Sequence, residues 1–226
     1  MNEKLKPLTS RCFGPEIWLA GIAMHLAVLA GLIYAPTAVD GATGKLYHVQ
    51  RIMYFHVPSA WISFLAFFVT FMASILVLAK RSEWWDCLAT ASAEIGVLFC
   101  TLALVTGSIW GRGHWEVWWV WDARLTTTFI LWLMYTVYLV LRMSTESSER
   151  SARFGAVFAI VGFAVVPLVF ASVKLWETQH PKGMVRGGLD PKMLQALLFC
   201  VGAFTLLYFA LLRGRLRVER LRKAIQ

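Results

Sequence analysis

The residues able to do chemistry concentrate in one stretch, WGRGHWEVWWVWDARLT, where five of the eleven tryptophans fall between positions 110 and 121. Tryptophan is enriched at membrane–water interfaces, but such belts draw one or two residues from each of many helix ends. This density exceeds what anchoring requires. Read as a helix from Trp115 onward, Trp115, Trp118, Trp119 and Asp122 fall at i, i+3, i+4 and i+7 and share one face. With Trp110 and Trp121 beside it, that face would lie along an interface as a flat, apolar, polarizable shelf with indole N–H donors at its wet edge. Gly111 and Gly113 suit a bend just before it. Such a shelf fits a large planar hydrophobic ligand better than an ion or a sugar phosphate.

Two histidines flank this segment. His56 sits in YFHVPSAW, with Pro58 expected in the first turn of a helix, where proline is tolerated. His180 sits in WETQHPKG. Each read alone is an ordinary interfacial histidine. Two opposed neutral imidazoles, however, are also the axial ligand set of a heme. Heme propionates need cations, and Arg112 and Arg124 bracket the shelf while Arg51, Lys182 and Arg186 fall in the same group of connections. A zinc site from His56, His114, His180 and Asp122 is the weaker alternative, because the spacing matches no zinc pattern. Within the apolar runs, His25 reads as a buried polar packing residue, and Glu94 as a snorkelling group or a polar contact between helices.

The elements that must position these groups follow from composition. Of 226 residues, 58% are hydrophobic and only 15% charged, against roughly a quarter charged in a soluble globule. Mean hydropathy is +0.62. Six apolar runs, 17–36, 54–79, 88–109, 125–141, 154–173 and 193–212, are long enough to cross a hydrocarbon core, which takes about 20 residues. The chain therefore reads as an all-α polytopic membrane protein, one domain over 1–226, with six transmembrane helices and an outward-facing Trp-rich interfacial segment at 110–124. Spanning strands are excluded by the lack of alternation and of a closed barrel. The first run is too long for a signal peptide and reads as a helix that stays.

Lys and Arg set the orientation. With the N-terminus inside, fourteen fall on inner segments and eight on outer ones, so both termini are expected in the cytoplasm. The connections 37–53, 110–124 and 174–192 then share the outer face. The net charge of +9 does not indicate nucleic acid: its largest cluster, Arg213 to Lys223, abuts the last apolar run as an anchor against anionic lipid. Cys12, Cys87, Cys100 and Cys200 form no CxxC pair and read as structural thiols.

The segment WGRGHWEVWWVWDARLT resembles the WWD motif of heme-handling membrane proteins. Together with FHVPSAW, LVTGSIWG and WETQHPKG, it resembles the CcmC family of system I cytochrome c maturation, over about Tyr54 to Pro191. The resemblance implies that heme b is held at the periplasmic surface of the bacterial inner membrane, with His56 and His180 as axial ligands. Trp110, Trp115, Trp118, Trp119, Trp121 and Asp122 would form the shelf. It further implies delivery to the heme chaperone CcmE, alongside the ABC transporter subunits CcmA and CcmB and the small protein CcmD, with ATP hydrolysed in a partner rather than in this chain. His114 falls at a variable place in the motif and is either a third ligand or incidental.

Two other functions fit parts of the sequence. A cytochrome b-like quinone oxidoreductase subunit needs histidine pairs on facing spans, and only His25 lies well inside one. A simple heme transporter would be expected to break paired spans with Gly or Pro around a midplane site, whereas the ligand types here gather at one surface.

Overall fold

The computed structural model describes residues 14–39, 46–144, 149–178, 180 and 189–225. Lys182 and Arg186, proposed as propionate partners, and Cys12 lie outside the described residues. Six helices are long and apolar enough to cross a membrane, and they coincide with the six apolar runs. The shortest is 20 residues, which suffices for a core of about 30 Å.

The first span is α1 (Pro15–Leu29), closed by a π-helical turn over Ala30–Tyr34. A two-residue antiparallel ladder, β1 (Ala38–Val39) with β2 (Leu46–Tyr47), is the one sheet among the described residues. A 3-10 turn over His48–Ile52 then leads into α2 (Met53–Lys80). It is followed by α3 (Glu83–Trp115) and α4 (Ala123–Ser144). The fifth span is two helices, α5 (Glu149–Phe163) and α6 (Val165–Leu175), and the last is α7 (Pro191–Ile225).

Three expectations change. First, α3 does not bend at Gly111 and Gly113 but runs through both to Trp115, and the chain turns at Glu116, a non-glycine residue with φ 63°. A Cβ at Gly113 would sit 2.7 Å from a Val49 methyl, so the glycine serves close packing against the 3-10 turn rather than a bend. Second, Pro58 is not in the first turn of its helix but inside α2, where it is fully buried. Third, the fifth span breaks at Ala164. Pro167, lacking an N–H and crowding the carbonyl four residues back at Phe163, accounts for the break.

The centre of the bundle is the α2–α3 pair. Gly96 lets them approach, since a Cβ there would lie 2.6 Å from the Phe67 ring. Phe67 in turn stacks on Tyr135 of α4 at 3.9 Å between centroids. Buried hydroxyls close the backbone: Ser92 donates to the Ala66 carbonyl and meets the Tyr208 hydroxyl of α7, both at 2.8 Å. The ends differ in character. At one end, ion pairs clamp helices together: Asp86–Arg142 at 2.5 Å, Glu94–Arg215 at 2.5 Å, and Glu16 with Arg213 and Arg217. Glu94 is therefore a contact between helices, held by two Arg215 nitrogens. The opposite end carries His56, His114, His180 and the tryptophans of 110–121.

Candidate functional site

His56, the fourth residue of α2, projects onto α3. Its Nδ1 lies 3.1 Å from Thr106 Oγ1. The Thr106 hydroxyl proton is already directed at the Leu102 carbonyl, 2.6 Å away. The oxygen therefore accepts from His56 Nδ1–H, which leaves the Nε2 lone pair available as a metal ligand. Gly107 makes room: a Cβ there would sit 3.1 Å from His56 Cε1.

His180 belongs to the same end. It lies close enough to His56 for the two rings to interact electrostatically, and Arg124 does the same. Its position is fixed through Thr178, whose hydroxyl accepts from the His180 amide at 3.1 Å and donates to Asp122 Oδ2 at 2.6 Å. Asp122 Oδ1 at the same time accepts from the Leu125 amide at 2.8 Å, capping α4. One carboxylate thus starts a span and holds the loop bearing a histidine.

The segment after Trp115 is not helical. Residues 117–122 are extended or bent, and the expected face of Trp115, Trp118, Trp119 and Asp122 does not form. The rings fall instead into two groups. Trp110 stacks on His114 at 4.9 Å and meets Trp115 edge-on at 5.0 Å. Thr106, Trp110 and His114 follow at intervals of four on α3, so this group shares the face on which His56 rests. The second group is Trp119, Trp121 and Phe129, in edge-to-face contact. With Trp118 and Trp132, Trp119 and Phe129 line an apolar groove of about 400 Å³ against Thr101, Leu104, Val105, Ser108 and Ile109 of α3. The Trp119 Nε1–H is buried with no acceptor among the described residues.

The cations divide likewise. Arg124 donates to the Val169 carbonyl at 3.1 Å and lies 5.8 Å over the Phe170 ring, beside the histidines. Arg51 is committed to the Leu32 carbonyl and to Thr37, and Arg112 to the Glu116 carbonyl, closing the turn at the end of α3. His114 bonds the Tyr47 hydroxyl at 2.9 Å. Among the described residues no three His, Cys, Asp or Glu side chains gather as a metal-binding group, which leaves the zinc alternative without a site. Cys100 and Cys200 are buried thiols.

His25 is not buried as expected. It faces outward from α1, its Nδ1 2.8 Å from the Gly21 carbonyl. Thr106, Thr178 and Tyr47 escaped the sequence reading because threonine and tyrosine near a span end carry no spacing signal. Only their partners across the fold mark them.

Comparison with known proteins shows the family. The heme exporter protein C of Bradyrhizobium diazoefficiens is 40% identical over 217 residues, covering 92% of this chain and 80% of that protein. That of Haemophilus influenzae is 32% identical over 224 residues, covering 97% and 86%. A putative cytochrome c biosynthesis ccmC-like mitochondrial protein of Marchantia polymorpha is 35% identical over 163 residues, covering 72% and 65%. The sequence model of one family spans residues 2–226. This six-span membrane protein belongs to that family, heme exporter protein C, also called CcmC.

Proposed function

We propose that this chain receives heme b at the periplasmic face of the bacterial inner membrane and hands it to the chaperone CcmE for cytochrome c maturation. His56 and His180 are the axial ligands. The observation that carries the reading is the junction of His56, His180 and Arg124 at one end of the bundle, with His56 presenting a free Nε2 lone pair. Arg124, half-buried and with guanidinium N–H groups beyond its one carbonyl bond, is the best placed of the three described cations to meet a propionate. Lys182 and Arg186 are further propionate partners in this reading, with Arg51 and Arg112 serving mainly the backbone at that end.

The tryptophans take separate parts. Trp110 and Trp115 extend the apolar wall beside His56. Trp118, Trp119 and Trp121, tied through Asp122 to the His180 loop, form the outer rim. CcmA, CcmB and CcmD complete the complex, and ATP is hydrolysed there while this chain, one six-span unit with both termini in the cytoplasm, binds and presents the cargo without enzymatic turnover. The names of the relatives, heme exporter protein C and a cytochrome c biosynthesis protein, support the cargo and the pathway.

The test is the visible spectrum of the purified protein, coexpressed with the chaperone. Bound heme is expected in the wild type, with loss in His56→Ala and in His180→Ala. Heme retained at wild-type level in both variants would overturn the ligand assignment.

A further inference from the structure

The first span has two unlike faces. Ala20 and Ala27 are buried, and Cys200 of α7 donates its thiol to the Ala27 carbonyl at 3.5 Å. On the opposite side stand Trp18, Ile22, His25 and Leu29, at i, i+4, i+7 and i+11, the spacing of a knobs-into-holes seam. Trp18, Ile22 and Leu29 are 71%, 58% and 50% exposed. Apolar side chains on such a face are equally at home in lipid and carry no argument by themselves.

His25 does carry one. It is outward-facing near the middle of the 20-residue span Pro15–Tyr34, where a polar group is costly unless satisfied. The Gly21 carbonyl can only accept, so the proton of the neutral ring is on Nδ1. Nε2 is then a bare acceptor, and it has no partner among the described residues. One turn away, a Cβ at Gly21 would meet nothing within 4 Å, which leaves a notch where another backbone can approach closely. A polar side chain beside a small residue is the usual means of joining helices in lipid.

We propose that the Trp18–Ile22–His25–Leu29 face docks a transmembrane helix of a different protein, one that presents a hydroxyl or amide donor to His25 Nε2. A second copy of this chain is the poorer occupant, because a two-fold axis would set one bare acceptor against another. The proposal is independent of heme.

The experiment places p-benzoylphenylalanine at Ile22 in the full chain, coexpressed with the membrane subunits of its transporter in native membranes. Irradiation is expected to give an adduct with one of those subunits, mapped by mass spectrometry to a membrane segment bearing Ser, Thr, Asn or Gln. Its yield should fall at least fivefold in His25→Leu and in Gly21→Leu, and persist in His25→Gln, which keeps an acceptor. Adducts with lipid alone or with a second copy, or equal yield in His25→Leu, would overturn the proposal. Heme content read on the same membranes separates the two readings: its absence from the wild type counts against the proposed function and leaves the seam untouched.

Discussion

The Thr178 hydroxyl donates to Asp122 Oδ2 at 2.6 Å, joining two connections 56 residues apart. Through this bond the end of the tryptophan segment is tied to the loop carrying His180. Removing it with Thr178→Val should lower heme content several-fold while leaving helicity unchanged. Asp122→Ala should be the more severe, because it also removes the cap of α4, worth about 1 kcal/mol. Pyridine hemochrome absorbance and circular dichroism on the same preparations distinguish the two effects.

Thr106 orients the His56 ring through its hydroxyl oxygen. Losses at such supporting groups weaken metal binding by roughly 10- to 100-fold. Thr106→Val should therefore reduce heme retention by that order, and Thr106→Ser, which keeps the oxygen, should restore most of it. Heme titration followed in the visible region is the measurement.

Two glycines on α3 should separate site from scaffold. Gly107→Ala places a methyl 3.1 Å from His56 Cε1, so it should displace the ring and cost heme with little change in melting temperature. Gly96→Ala places one 2.6 Å from the Phe67 ring in the α2–α3 core and should destabilise by about 1–3 kcal/mol. Thermal unfolding in detergent alongside the spectrum reads both.

The ion pairs at the far end should rank by burial. Asp86 and Arg142 side chains are 19% and 13% exposed, and Arg142 Nε already lacks a partner among the described residues. Asp86→Ala leaves a guanidinium stranded and should cost about 3 kcal/mol. Glu94 and Arg215 are about a third exposed, so Glu94→Ala should cost about 1 kcal/mol. Equal melting temperatures for the two variants would contradict this order.

Sequence alone revealed the six spans, because hydrocarbon thickness leaves few ways to read runs of that length. Parity of the connections then put His56, Trp110 and His180 at one end without any knowledge of packing. What it missed was set by tertiary contact. A glycine pair that resembles a bend stays helical when Val49 packs onto it. The rupture at Ala164 was signalled by Pro167, but the unbroken hydropathy of that run concealed it. The outward aspect of His25 depends on which side of α1 meets α7, and no local pattern records that. The assumption that the tryptophans share one helical face failed because Glu116 turns the chain before the pattern can repeat.

The last helix, α7, extends 35 residues without interruption, about 50 Å at 1.5 Å per residue. A hydrocarbon layer of about 30 Å cannot contain it. Its apolar turns end at Leu212, and arginine begins at Arg213. That boundary fixes the depth at which the rod can float, since guanidinium groups stop at the phosphate layer. Because Glu16 and Glu94 are paired to α7 just beyond that point, the height of the whole bundle in the bilayer is set from this one end. The level of the histidines at the other surface is thereby determined some 30 Å away.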